Sequence, residues 1–365
     1  MTVNPTTMTL CIPVVEGRTV LAMKLGLGLG YWSAGPPPDM LATVQEAERL
    51  GFDSMWTAEA YGSDALTPLA WFGSHTSRIK LGTGICQMPA RTPTALGMAA
   101  MTVDHLSEGR LLLGVGASGP QVVEGWYGQS YPKPLARSRE YIEILRKTIA
   151  RDVVEFSGDH YTLPFAGETG TGLGKALKST IHPRRTEIPI YLGAEGPKNI
   201  ALAGEIADGW VAMLYSPKDD AWYRERLAEG FAKRSPDRSP AEDFEVVCLA
   251  PAVINPDVEA AADMIRPHLA LYAGGMGARG ANFHFDAIAR AGFEAEALKI
   301  QELYLAGNKK DAIAAVPTEM VEAMALIGPP EKIRDDLAAW EEGVVTTLLV
   351  TGPPVLLRAL AEIVL

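Results

Sequence analysis

Three short stretches carry the residues that could do chemistry. The first, Thr57-Ala58-Glu59-Ala60-Tyr61-Gly62, follows an apolar run and sets a carboxylate two positions from a phenol. Glu59 and Tyr61 can each hold or release a proton, the work of general acid–base catalysis. The plain alternative for Glu59 is a buried partner for a backbone amide or an arginine. The second stretch, Gly82-Thr83-Gly84-Ile85-Cys86-Gln87-Met88-Pro89-Ala90-Arg91, has no charge before Arg91. It reads as a smooth apolar wall, suited to backing a planar ring. Cys86 could be a nucleophile there, but no base stands beside it, so it reads as a small hydrophobe. The third stretch, Gly193-Ala194-Glu195-Gly196-Pro197-Lys198, opens a helix, and Pro197 suits its first turn. Small residues there leave free N–H groups at the positive end of the helix dipole, a cradle for phosphate or simply a tight turn.

A fourth stretch imitates a nucleotide motif. Gly114-Val115-Gly116-Ala117-Ser118-Gly119 follows the apolar run Leu111-Leu112-Leu113 and matches GxGxxG. That fingerprint requires a helix opening on its glycines and an acidic residue about 20 positions on, at the end of a second strand. Pro120 to Gly128 reads instead as a punctuated loop, and Arg137 to Ala150 as an amphipathic helix. The dinucleotide reading fails on context. Likewise Gly170-Thr171-Gly172-Leu173-Gly174-Lys175 is no P-loop, because Ala176 stands where Ser or Thr would reach magnesium.

The elements that must position these stretches alternate along the chain. Strand-like runs occur at Lys24–Gly30, Phe52–Thr57, Ile79–Gly84, Leu111–Gly116, Ile188–Gly193, Gly209–Met213, Phe244–Ile254 and Thr346–Val350. Helical patterns fall between them, including Asp39–Leu50, Thr94–Ser107, Val258–Leu271 and Glu331–Glu342. Continuous apolar runs such as Leu111–Val115 suit strands buried on both faces of a parallel sheet. Eight such units predict an α/β fold, a (β/α)8 TIM barrel, whose active sites gather at the C-terminal ends of the strands. The turn Glu108-Gly109 should use a left-handed glycine, and Asp104 could pair with Arg110 at the opposite face.

Residues 1–22 read as a tail, and 23–365 as one barrel with insertions at about 151–187 and 273–328. Both insertions are expected to leave from the C-terminal face of the strands. The first holds a basic cluster, Lys175, Lys178, His182, Arg184 and Arg185, either a solvated loop or a seat for a ligand's anionic tail.

The chain has 365 residues and a formal net charge of −11, which disfavours nucleic acid and anionic membranes as partners. No apolar run reaches the roughly 18 residues a membrane span needs. The N-terminus lacks the basic and apolar regions of a secretory signal. Three separated cysteines without a CxxC fit a reducing, cytoplasmic setting, and six scattered histidines show no metal spacing.

Taken together, WTAEAYG (Trp56 to Gly62), IKLGTGICQMPARTP (Ile79 to Pro93), DHLSEGRLLLGVGASG (Asp104 to Gly119), IPIYLGAEGPKN (Ile188 to Asn199) and IADGW (Ile206 to Trp210) resemble the luciferase-like monooxygenase superfamily, in its coenzyme F420-dependent branch. The resemblance implies a homodimeric oxidoreductase that exchanges a hydride at C5 of a deazaflavin with a small organic substrate. It implies a non-prolyl cis peptide at Gly84-Ile85, and cofactor contacts from Ala58, Glu59, Gly84, Ile85, Cys86, Gly116, Ala117 and Ser118. The turn Gly193, Ala194, Glu195, Gly196, Pro197, Lys198 would take the phosphate, and the basic cluster could meet the cofactor's glutamate tail. Sugar-phosphate dehydrogenases of the branch carry His after the strand-two acid and Glu after the strand-four GxG. Here Ala60 and Ala117 stand at those places, so that acid–base chemistry is not expected. Glu59, Tyr61 and Glu124 remain as proton donors. An FMN-dependent monooxygenase and a non-catalytic cofactor-binding barrel are the other readings.

Overall fold

The computed structural model describes residues 23–277, 280 and 282–365; the expected tail lies outside them. Eight strands form the barrel: Lys24–Gly30, Ser54–Thr57, Lys80–Thr83, Leu111–Gly116, Ile190–Gly193, Gly209–Ala212, Glu245–Leu249 and Thr347–Val350. Each pairs in parallel with its neighbours, and the first pairs with both the second and the eighth, so the ring closes. Every residue of Leu111–Gly116 is buried, as its unbroken apolar pattern requires.

The barrel is packed, not hollow. Trp56 turns inward against the edge of Tyr191, with ring centroids 5.4 Å apart, and Leu112, Val247 and Leu349 complete the layer. A Cβ at Gly82 would lie 2.2 Å from the Trp56 indole, so glycine is what admits the large ring. A second, larger core lies between the strands and the surrounding helices. The helix Pro354–Val364 closes that layer with Leu357, Leu360 and Ala361; it follows the last expected strand and was not anticipated.

Four expectations need correction. The segment 151–187 follows the helix Pro134–Ile149, so it leaves from the N-terminal face of the barrel. Its hairpin, Phe156–Ser157 with Thr162–Leu163, is tied to that helix by Glu140, which accepts from the backbone N–H groups of residues 159, 160 and 161. The other insertion does leave from the C-terminal face, but it begins at strand seven's end, well before Ala273. Phe244–Ile254 is two strands, because Ala252–Ile254 pairs with Leu326–Gly328 in a separate small sheet. The helix Val258–Gly274 therefore belongs to the insertion and packs into its own apolar core, while Pro330–Glu341 serves as the seventh barrel helix. Third, Pro120–Gly125 is a short helix, not a loop. No strand follows it, only the helix Pro134–Ile149, so the dinucleotide reading still fails.

Fourth, Asp104 pairs with Arg185, not Arg110. Arg110 instead donates to the carbonyls of Gly73, Thr76, Ile79 and Ser107, sealing the ends of two helices. Gly109 adopts the expected left-handed conformation, with φ 87°.

Candidate functional site

The strand-three corner forms the floor of the barrel mouth. The peptide bond Gly84-Ile85 is cis, as anticipated. The Ile85 side chain lies across strands four and five: a Cβ at Gly116 would meet its Cδ1 at 2.9 Å, and one at Gly193 its Cγ2 at 3.1 Å. Gly114 is tighter still, with the Thr83 carbonyl oxygen 1.9 Å from where a Cβ would stand. Glycines on strands four and five thus let one isoleucine cover the barrel with an apolar plate.

Beside the plate sits Glu59, with its side chain 4% exposed. Arg91 grips it at both oxygens, Nη1 to Oε2 at 2.8 Å and Nη2 to Oε1 at 2.7 Å, and the Gln87 backbone N–H donates to Oε2 at 2.9 Å. The plain alternative for this carboxylate is the arrangement observed. Glu59 in turn holds Arg91 above its usual proton affinity. Gln87 extends the network, donating from Nε2 to Ser118 Oγ at 2.8 Å and accepting from Tyr127 Oη at 2.7 Å. Ser118 is held at φ 62°, a conformation uncommon outside glycine. Burial, with Glu59 adding, pushes the Cys86 thiol up to about 12. Its side chain belongs to the outer core, so Cys86 can offer a ligand only its backbone.

Across the mouth, the helix Pro197–Ile206 begins on Gly196 with Pro197 in its first turn. Trp210 Nε1 donates to the Ala194 carbonyl at 2.7 Å and fixes the turn from below. The Asn199 side chain donates to Gly193 O, and its buried Oδ1 has no donor among the described residues. Pro197 and Lys198 are exposed. Glu195 faces the insertion, where His284 Nδ1 lies 2.6 Å from its Oε2.

The insertion roofs this side. Tyr272 packs edge-on to His284 with centroids 4.7 Å apart and lies 4.5 Å from His268. Burial, then Tyr31, Glu195 and Tyr61, pushes the Tyr272 hydroxyl up to about 12. Those neighbours come from the ends of strands one, five and two, so one phenol overlooks three corners of the mouth. Burial, then His284, holds His268 below its ordinary value.

The structure thus brings Glu59, Ile85, Gly116 and Ser118 together, with the Gly193–Lys198 turn adjoining through Gly193. Ala58 and Ala117 are half-buried on the same rim, whereas Tyr61 is exposed at 59% and Glu124 lies exposed on the short helix Pro120–Gly125. The basic cluster does not join them. Arg185 is bound to Asp104 and to the Leu111 carbonyl at the start of strand four, and Arg184 lies against Gly109. His182 accepts there from His105, so this part of the cluster lies at the far end of the barrel. Sequence reasoning missed Gln87, Tyr127, Tyr272 and His284. The last two sit in an insertion whose path no periodicity reveals.

Residues 19–347 match the luciferase-like monooxygenase family. A Mycobacterium tuberculosis protein, named provisionally as a coenzyme F420-dependent oxidoreductase, is 53% identical over 344 residues, 94% of this chain and 99% of its own length. A 5,10-methylenetetrahydromethanopterin reductase from Archaeoglobus fulgidus is 28% identical over 85% of this chain and 88% of its own. The solved coenzyme F420-dependent tetrahydromethanopterin reductase of Methanopyrus kandleri superposes with a TM-score of 0.77 at 24% identity, covering 94% of this chain and 99% of that one. Among the described residues no acidic, His or Cys cluster could hold a metal, and no helix is long and apolar enough to cross a membrane.

Proposed function

This chain belongs to the luciferase-like monooxygenase family, and on that premise we propose that it is a coenzyme F420-dependent oxidoreductase exchanging a hydride with a small organic substrate. The observation that carries the reading is the Ile85 plate on Gly116 and Gly193, a bed for a flat ring beside a helix start. The name of the 53% identical relative selects F420 over FMN. The basic cluster does not contribute to that choice, since Arg184 and Arg185 are engaged at the opposite end.

The residues present fit the deazaflavin. The backbone of Gly84, Ile85 and Cys86 would support its ring, Ala58, Ala117 and Ser118 would border it, and the N–H groups of the Gly193–Lys198 turn would face its phosphate. The orphaned Asn199 Oδ1 suits a hydroxyl of the connecting chain. When bound, the cofactor supplies hydride exchange at one ring carbon, and the protein supplies orientation and electrostatics. Ile85 would keep water from the ring face that it supports. Glu59, committed to Arg91 and to the Gln87 amide, fixes the edge of the floor and acts as a positioning residue.

Titrating the protein into oxidised F420 should quench the cofactor's fluorescence saturably at micromolar protein. FMN should compete weakly. Tight FMN binding without F420 binding would move the assignment to the flavin-dependent oxygenases of the same barrel.

A further inference from the structure

A hydride delivered to an unsaturated carbon leaves an electron pair on the neighbouring atom, and that atom needs a proton. The other buried acids around the mouth are poorly placed to give one. Both oxygens of Glu59 accept from Arg91 and Gln87. The buried Cys86 thiol and Tyr272 phenol each hold their protons up to about 12. Burial, then His284, lowers the proton affinity of His268.

His284 differs. It stands 21% exposed at the mouth, and its Nδ1 approaches Glu195 Oε2 to 2.6 Å. The approach falls outside hydrogen-bond geometry, and among the described residues neither atom has a hydrogen-bond partner. The placement is built, not incidental. Asn282 accepts from the backbone N–H groups of His284 and Phe285 and donates to the carbonyls of Tyr272 and Ala273, locking two insertion helices together. Phe283 lies 3.7 Å from where a Cβ on Gly196 would stand, so the same segment rests on the strand-five turn. Among the described residues, the groups facing His284 are Glu195 from that turn and Tyr272 and His268 from Val258–Gly274; Asp286 is the acidic residue on its own helix. Tyr31 and Tyr61 lie close enough to Tyr272 to act on its hydroxyl.

We propose that His284, oriented by Glu195, is the proton-donating residue of this site. The inference rests on the oxidoreductase reading above. An unsaturated substrate receives a hydride at one carbon from the reduced deazaflavin, which leaves oxidised. The displaced π pair takes the proton of the His284 imidazolium, so a new X–H bond forms as the N–H bond breaks. The ring-nitrogen proton released by the oxidised cofactor returns to solvent, from which the imidazole recovers its own. Glu195 is a positioning residue: it turns the imidazole toward the reacting atoms.

The experiment uses the full chain, with reduced F420 and a panel of simple ketones and enones as probe acceptors. His284→Ala should lower kcat on the order of 100-fold or more while F420 affinity, read by fluorescence, is unchanged. Added imidazole should restore turnover. Undiminished kcat, or a loss that imidazole does not relieve, overturns the proposal. In the cofactor-free protein, Glu195→Gln should move the 15N resonance of His284 Nδ1, and oxidised F420 should move it again in the wild type. A resonance indifferent to both also overturns it. Failure of the wild type to bind F420 breaks the cofactor reading instead, because the Glu195→Gln comparison needs no cofactor.

Discussion

Glu59–Arg91 and Asp104–Arg185 are nearly the same object at opposite ends of the barrel. Each is a buried carboxylate gripped at both oxygens by a half-buried guanidinium. Each carboxylate also faces a backbone N–H, of Gln87 in one case and Leu111 in the other. Their surroundings separate them. Asp104 joins the end of the helix Pro93–Leu106 to the start of strand four and to the returning 151–187 segment, and everything it touches is scaffold. Glu59 holds the corner that carries Ile85, and its network continues through Gln87 to Ser118 and Tyr127 at the C-terminal ends of the strands. Identical chemistry therefore serves stability at one face and site geometry at the other, as the barrel's polarity dictates.

The largest expected effect comes from breaking the lower pair. Asp104→Ala leaves the Arg185 guanidinium without its carboxylate, and loss of one partner of a buried pair costs about 3–5 kcal/mol. Urea unfolding should report that loss, while the F420 affinity of the folded fraction stays at the wild-type value. The upper pair should behave differently. Glu59→Gln keeps the shape but surrenders one acceptor, which costs about 1–3 kcal/mol of stability. It should also weaken F420 by about tenfold, equivalent to roughly 1.4 kcal/mol. Equal affinity losses in the two variants would erase the distinction between the two ends.

The same contrast explains what could be read from sequence. The barrel was legible because its strands are unbroken apolar runs and its helix ends carry local markers such as Gly109 and Pro197. The mouth was legible where small residues cluster at strand ends: Gly84, Gly116 and Gly193 all proved to be places where a Cβ would meet Ile85 or Trp56. Pairing was not legible. Arg110 stands six residues from Asp104, yet the true partner of Asp104 lies 81 residues on, because long-range contact leaves no periodic trace. The roof was illegible for the same reason. His284 meets Glu195 only because the insertion folds on its own apolar core and brings the helix Phe283–Ile288 back across strand five's turn.

Cys86 sharpens the comparison from inside the upper pair. Burial, with Glu59 adding and Arg91 opposing, raises its thiol from 9.0 to about 12. The folded protein should resist iodoacetamide at mildly alkaline pH, where unfolded chain is alkylated readily. The raised value also fixes a sign. Below pH 9 the thiol is neutral folded or unfolded and contributes no pH dependence; between 9 and 12 only the unfolded thiol ionises, so stability falls as pH rises. Cys86→Ala should cost about 1 kcal/mol and leave F420 binding intact, since only the Cys86 backbone faces the mouth. Rapid labelling of the native state would place the sulfur in the site instead.

The smallest effect belongs to a third carboxylate–arginine cluster, which tests whether surroundings rather than partners set the scale. Glu46 accepts from Arg49 and Arg358 on the outer surface, with those arginines 64% and 55% exposed. The hydrogen bonds from Arg49 and then Arg358 lower its carboxyl from 4.5 to about 2. A depressed carboxyl contributes stability above its unfolded value and loses it as pH falls, here between 4.5 and about 2. Water and salt screen such a pair, so the contribution should shrink steadily with added sodium chloride. Glu46→Gln should therefore flatten the acid limb of the stability–pH curve slightly at low salt and change nothing at high salt. The Asp104 loss should persist in both. A Glu46 effect as large and as salt-resistant as that of Asp104 would show that the count of arginine contacts, not burial, governs these clusters.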